Sequence, residues 1–458
     1  MARLVIVSNR VGSPGREART AGGLVVALQD ALRRRGGIWV GWSGDVVDGE
    51  PGPPRSVRRG RIGWVTLDLE REAYRAFYEG FANGTLWPLC HYRLGLIGFR
   101  RAELEGYRAV NETFARAIAE LLRPDDLVWV HDYHFLSLAA ALRRLGAANR
   151  IGLFLHVPFP APEVLRALPD HQRLLRETAA YDLVGFQTRG DSRAFAEGLE
   201  RLAGAEPAGR GRLRLGERTV AADAFPVGID TEGFARLAVA AATAPETVRL
   251  AESLAGRTLI LGVDRLDYSK GLPGRFAAVA ELLERQPQRR RTVTFLQIAP
   301  ISRGELRQYR ALRGELDQLA GRINARFAEV DWTPIRWVNR TVPRPVLAGY
   351  LRLARVGLVT PLRDGMNLVA KEYVAAQDPE RPGVLVLSRL AGAADELESA
   401  LLVDPLDTEG VAEALERALA MPLAERRERW AAAMAVLREN TAARWRERFL
   451  EALEATGS

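Results

Sequence analysis

Leu259-Ile-Leu-Gly-Val-Asp-Arg-Leu-Asp-Tyr-Ser-Lys-Gly-Leu-Pro273 decides the fold. Its first five residues form an apolar run with no polar alternation, the pattern of a strand buried on both faces. A charged loop follows. Gly271 and Pro273 then open a helical pattern running to Arg285, proline being favoured in a first turn. Strand, loop and helix in that order make one βα unit. The same order recurs along the chain. Apolar runs at Leu4–Val7, Leu127–Val130, Ile151–Leu155, Leu183–Phe186, Thr292–Ile298, Ile335–Val338, Val356–Thr360 and Val384–Leu387 alternate with helical stretches such as Leu24–Arg35, Glu305–Arg326 and Asn367–Ala376. This alternation predicts an α/β protein with doubly wound parallel sheets.

A chain of 458 residues exceeds one ordinary core, so two or three domains are expected. The series breaks once. Pro226-Val-Gly-Ile-Asp230 ends a strand-like stretch, and an alanine-rich helical segment precedes the new strand at Leu259. This places a boundary near residue 235. From Ala424 to Leu453 the pattern is helical, with no strand to follow. Arg201–Arg218, rich in glycine and arginine, reads as a surface hairpin or loop. Two α/β domains facing each other create a cleft lined by strand carboxyl ends, and ligands bind at such ends.

Hydrophobic content of 47% with 27% charged residues is that of a soluble globular protein. No apolar run reaches the roughly 18 residues needed to span a bilayer. No membrane partner is expected. The short Leu4–Val7 run leads at once into Ser8-Asn9-Arg10 and reads as a strand, not a signal peptide. The single Cys90 excludes an intrachain disulfide and suits a reducing cytoplasm. The net charge of +8 does not imply a nucleic-acid partner. Its arginines are scattered among acids, as in Glu425-Arg-Arg-Glu428, with no aromatic-interleaved basic stripe. Phosphorylated small molecules fit better. Of 65 basic side chains only Lys270 and Lys371 are lysine, so both positions resist a general drift to arginine.

Candidate site residues follow the strands. Ala21-Gly22-Gly23-Leu24 is a turn opening a helix, where backbone amides can approach an anion. It lacks the G-x-G-x-x-G pattern of dinucleotide enzymes. Asp132, in His131-Asp-Tyr-His134, is a candidate hydroxyl acceptor, and His156 ends another apolar strand. No cysteine or third histidine stands at ligand spacing, so neither metal nor cofactor is expected. Arg265 can fork a phosphate and Lys270 can add a point charge to it, a diphosphate cradle. The alternative is a loop whose ion pairs go to Asp264 and Asp267. In Thr360-Pro-Leu-Arg-Asp-Gly-Met-Asn-Leu-Val-Ala-Lys-Glu372, Asp364-Gly365 makes a turn and the amides near Asn367, Leu368 and Val369 face an anion. Glu372, about a turn past Leu368, can take two vicinal hydroxyls. That order suits a nucleotide sugar; an ordinary turn with a solvated glutamate is the alternative.

Read together, these stretches resemble the retaining glycosyltransferases of family 20. The most specific pieces are His131-Asp-Tyr-His134, Phe154-Leu-His-Val-Pro-Phe-Pro160, Val263–Gly271, Ala299-Pro-Ile-Ser-Arg-Gly304 and Pro361–Asp378. The resemblance implies a GT-B fold: two Rossmann-like domains facing across a cleft, with the C-terminal helix crossing back to the first. Residues 1–234, completed by about 440–458, would be the acceptor side, and 235–439 the nucleotide-sugar donor side. It implies transfer of glucose from UDP-glucose to glucose 6-phosphate, with retention and no covalent enzyme intermediate. On the donor side it implies Gly22, Gly23, Arg265, Lys270, Val342, Asp364, Asn367, Leu368, Val369, Ala370, Lys371 and Glu372. On the acceptor side it implies Arg10, Tyr78, Trp87, Asp132 and Arg303. Trp87 and His156 would select the anomer, and Asp132, His156, Arg265, Lys270 and Asp364 would carry catalysis. A homo-oligomer, dimer or tetramer, is also implied. One departure stands out. Arg340-Thr-Val342 occupies a place where the family often has an aromatic near the donor base. ADP- or GDP-glucose, or another acceptor such as glycerol 3-phosphate, stay open.

Overall fold

The computed structural model describes residues 2–11, 23–301 and 306–457. Gly22 and Arg303 lie outside these residues. The chain divides into two compact units, Met1–Pro226 with Ala443–Ser458, and Val227–Ala442.

The first unit holds a ten-stranded sheet. In chain order its strands are β1 Leu4–Arg10, β2 Gly37–Val47, β3 Arg55–Arg59, β4 Ile62–Glu70, β5 Leu127–His131, β6 Arg150–Phe154, β7 Leu183–Phe186, β8 Glu206–Pro207, β9 Arg212–Leu215 and β10 Arg218–Ala224. Across the sheet they run β3-β4-β2-β1-β5-β6-β7-β10-β9-β8. All neighbours from β4 to β10 are parallel, and antiparallel strands are added at both edges. The edge strand β3, Arg-Ser-Val-Arg-Arg, is exposed throughout, and its charge discourages pairing with another chain. Arg201–Arg218 contains the β8–β9 hairpin.

The second unit holds six strands: β11 Thr258–Val263, β12 Val293–Ile298, β13 Ile335–Val338, β14 Val356–Val359, β15 Val384–Ser388 and β16 Leu401–Val403. Their order is β13-β12-β11-β14-β15-β16 and every pair is parallel. This is the doubly wound order, which reverses between its first and fourth strands. The first sheet reverses the same way between β1 and β5. Each reversal opens a crevice at the carboxyl ends of the strands, where ligands bind.

The continuous apolar runs became buried strands, as expected, except Ile335–Val338, which forms the half-buried edge strand β13. β2 and β4 were not anticipated. Gly37-Ile-Trp-Val-Gly-Trp and Ile62-Gly-Trp-Val interleave glycine with tryptophan, which breaks the apolar run. The tail is two helices, Leu423–Glu439 and Ala442–Glu454, broken at Asn440. In the second of these, Trp445 and Phe449 pack on Trp129 and Phe154 of the first sheet, with ring centroids 5.0–5.7 Å apart. Gly152 and Gly185 make the room: a Cβ on either would stand within 2.9 Å or less of the Phe449 ring. Among the described residues no helix is long and apolar enough to cross a membrane.

Candidate functional site

In the second unit, β11 delivers Asp264 and Arg265, and the helix Leu272–Arg285 follows them. Gly271 makes the turn between, at φ +65°; a Cβ there would lie 2.3 Å from the Thr360 carbonyl oxygen. Only glycine brings this loop so close to the end of β14. Arg275, one turn into the helix, is fully buried. Its guanidinium pairs with Asp264 Oδ2 at 2.7 Å and donates to Thr360 Oγ1 at 3.0 Å, Gln297 Oε1 at 3.3 Å and the Lys270 carbonyl at 3.1 Å. It therefore ties together the ends of β11, β12 and β14. Asp267 caps the Ser269 N–H at 3.0 Å and accepts from the Tyr309 hydroxyl at 3.1 Å.

That arrangement directs Lys270 elsewhere. Its ammonium meets Asp364 Oδ2 at 2.5 Å, and both side chains are nearly buried. Asn367 Nδ2 donates to the same oxygen at 3.0 Å. Asn367 also caps the helix Leu368–Ala376, its Oδ1 accepting from the Ala370 N–H at 3.1 Å. To do so it adopts φ 87°, a sparsely populated region that asparagine tolerates better than most. The first-turn amides of this helix and its positive dipole end thus stand beside a lysine–aspartate pair. Arg265 is exposed at the end of β11. Glu372 accepts from Arg344 Nη2 at 3.3 Å, and burial raises its pKa against the pull of that arginine. Leu368 and Val369 are half-buried and Ala370 buried; Val342 lies in the loop before the helix Arg344–Leu353. The Lys371 side chain, fully buried, faces Glu396 and the Val227 carbonyl. A loop whose ion pairs use Asp264 and Asp267 does not describe Lys270: its partner is Asp364.

In the first unit, Asp132 follows β5 at φ 75°, a strained conformation that must be held by its surroundings. Its N–H donates to the Phe154 carbonyl at 2.8 Å and its Oδ1 accepts from the His156 N–H at 3.2 Å. Thus β5 and β6 hold Asp132 and His156 against each other. Arg10, exposed at the end of β1, lies over Trp42, 5.6 Å from the ring centroid. No carboxylate pairs with it among the described residues. Tyr78 sits on a π-helical segment, Arg75–Leu86, and stacks on His134 at 5.8 Å. Trp87 is buried and packs against His91 and Tyr133. Gly23 begins the helix Gly23–Arg35.

His131 and His156 form a ring pair, Nδ1 to Nε2, at 3.2 Å. His156 keeps some surface exposure, but Phe154, Trp445 and His131 crowd its ring. Desolvation lowers its pKa to about 3, and lowers that of His131 well below the ordinary value, with His156 adding to the effect. Both imidazoles are therefore neutral near pH 7. As pH falls below the ordinary value of 6.5, the unfolded chain takes up these protons before the folded one does. Stability is complete above about pH 6.5 and is lost as pH falls toward 3, at up to about 1.4 kcal/mol per pH unit for His156. We expect a loss of about 2 kcal/mol from this residue between pH 6.5 and 5, read by urea unfolding. His156→Leu flattens that slope; equal slopes in both proteins would contradict the assignment.

A family model described as glycosyltransferase family 20 matches residues 6–455. The chain belongs to glycosyltransferase family 20. It is 50% identical over 459 residues to a trehalose-6-phosphate synthase of Sinorhizobium fredii, covering 100% of this chain and 99% of that one. It resembles the crystal structure of an α,α-trehalose-phosphate synthase (UDP-forming) from Burkholderia xenovorans in complex with glucose-6-phosphate. The TM-score is 0.94 at 49% identity, covering 99% of this chain and 100% of that one. It also resembles the E. coli protein bound with UDP-2-fluoro glucose, with TM-score 0.94, 44% identity and 99% of each chain covered. The architecture is the family's GT-B fold, with two Rossmann-like parallel-sheet domains.

Arg275 is the residue that sequence reasoning missed. Its helix carries one other arginine, Arg285, and neither stands out in the sequence as a site residue.

Proposed function

We propose that this family 20 enzyme transfers glucose from UDP-glucose to glucose 6-phosphate with retention, releasing UDP and α,α-trehalose 6-phosphate. The relatives' printed activities support this reading. The observation that carries it is the cradle at the ends of β11 and β14, where the Lys270–Asp364 pair joins the loop after β11 to a capped helix N-terminus. Arg265 and Lys270 hold the donor diphosphate, and the stretch Leu368 to Glu372 adds to that hold through the amides its cap leaves free, those of Leu368 and Val369. Glu372 takes the ribose hydroxyls and Asp364 those of the glucose. Gly22 and Gly23 belong to the donor loop, and Val342 offers its backbone near the base. On the acceptor side Arg10 and Arg303 fork the phosphate, Tyr78 and Asp132 bind the sugar, and Trp87 and His156 shape the pocket that selects the anomer.

The acceptor's anomeric hydroxyl attacks the donor's anomeric carbon from the face that the diphosphate leaves. The carbon–oxygen bond to the diphosphate breaks, and the departing diphosphate oxygen takes the hydroxyl proton. Before the donor arrives Asp364 balances the Lys270 ammonium; the diphosphate then shares that charge. Catalysis is charge stabilisation on the leaving group plus positioning of two sugars. A neutral His156 is consistent with a role in hydrogen bonding and not as a cation.

A panel of donors and acceptors tests the reading. UDP-glucose with glucose 6-phosphate is expected to give the highest kcat/KM, with UDP and a disaccharide phosphate as products. No UDP release sinks it. Val342, in place of an aromatic, makes ADP- and GDP-glucose the donors to compare, and glycerol 3-phosphate is the acceptor to compare. A cytoplasmic location and a homo-oligomeric state, dimer or tetramer, belong to the same proposal.

A further inference from the structure

Lys371 stands in the first turn of the helix Leu368–Ala376, whose amides face the donor in the reading above. A cation is misplaced there: the N-terminal end of a helix dipole favours anions. Burial adds a second cost, since the side chain is fully enclosed. Desolvation lowers the Lys371 pKa, and Glu396 opposes the shift. A residue disfavoured twice needs a specific reason to be where it is.

Its contacts supply one. The ammonium meets Glu396 Oε2 at 2.5 Å and donates to the Val227 carbonyl at 2.8 Å. The other oxygen of Glu396 accepts from Asn440 Nδ2 at 2.9 Å. Val227 is the first residue of the second unit, and Asn440 stands two residues before its last, Ala442. The entering and leaving segments are themselves pressed together. A Cβ on Gly228 would lie 1.9 Å from the Asn440 carbonyl oxygen. The Ala442 N–H donates to the Ile229 carbonyl at 3.1 Å, and Thr231 Oγ1 donates to the Leu437 carbonyl at 2.8 Å. One buried ammonium therefore links the donor helix to both segments by which the chain enters and leaves this unit. A broad guanidinium does not replace a compact three-donor point charge in such an enclosed place, which accounts for lysine in so arginine-rich a chain.

We propose that Lys371 is a positioning residue: it registers the first turn of the donor helix against the two crossing segments, and its side chain does not bind the donor. This rests on the reading of Leu368–Glu372 as the donor phosphate site. Loss of the link leaves the backbone amides able to bind but shifts the sugar they carry, and small misplacements are costly to rate.

The double variant Lys371→Met/Glu396→Gln removes the link without leaving a buried charge. It is expected to bind UDP within about threefold of the wild-type Kd by calorimetry, while kcat falls at least about tenfold at saturating substrates. Asn440→Ala, which cuts only the link to the leaving segment, is the second variant should the first fail to fold. It is expected to lower kcat by about threefold or more with the UDP Kd unchanged. A kcat near wild type, or a UDP Kd that weakens in step with kcat, overturns the inference. A wild-type enzyme that makes no disaccharide phosphate overturns the proposed activity, and the inference with it.

Discussion

Lys270→Met is expected to lower kcat/KM by about 10²–10³-fold, the usual cost of removing one charge-stabilising donor from an active site. The ammonium is nearly buried, so its field on a diphosphate is weakly screened. The same change leaves Asp364 without its cation, although Asn367 still donates to it at 3.0 Å. We therefore expect a modest loss of stability, about 1–3 kcal/mol, beside the kinetic defect. Lys270→Arg separates charge from shape. It keeps the positive charge but places a planar fork where the loop closes on Thr360 and Leu362. We expect at least about a tenfold loss in kcat/KM, roughly 1.4 kcal/mol of transition-state binding. Near-normal kinetics for either variant would remove Lys270 from the mechanism.

Arg275→Met is expected to cost about 3–5 kcal/mol, the loss seen when one member of a buried ion pair is removed. Asp264, itself buried, would be left without its cation, and Thr360, Gln297 and the Lys270 carbonyl would each lose a donor. The urea midpoint reports this directly. A shift worth less than about 1 kcal/mol would mean that the guanidinium contributes little. Arg275→Lys should recover only part of the loss, because an ammonium lacks the planar fork that reaches several acceptors at once. If Arg275 positions the Lys270 loop, the lysine variant also loses activity at temperatures where it remains folded.

The legible parts of this protein were those where one physical signal dominates. A buried parallel strand such as β11 needs apolar residues on both faces and reads as an unbroken run. The loop after it reads as chemistry because charged residues follow such a run at once. Strands β2 and β4 escaped because their glycines and tryptophans serve close packing, which depends on neighbours far along the chain. Arg275 escaped for the same reason: its partners come from β11, β12 and β14, and nothing local distinguishes it from the solvent-exposed Arg285 on the same helix. Lys371 was conspicuous by residue type, yet composition points to the segment and not to the atom. Only the contacts of its ammonium with the Val227 carbonyl and Glu396 show what that side chain does.

The helix Ala442–Glu454 has a consequence for how the protein is made. Translation delivers the first sheet long before the residues that cover one of its faces. Until Trp445 and Phe449 arrive, the notch at Gly152 and Gly185 and the ring of Trp129 stay bare. The whole of Val227–Ala442 is synthesised in the interval. At about 5–20 residues per second that wait lasts on the order of ten to forty seconds. The unit that begins first therefore finishes last, and a chain halted within the second unit leaves that apolar patch uncovered.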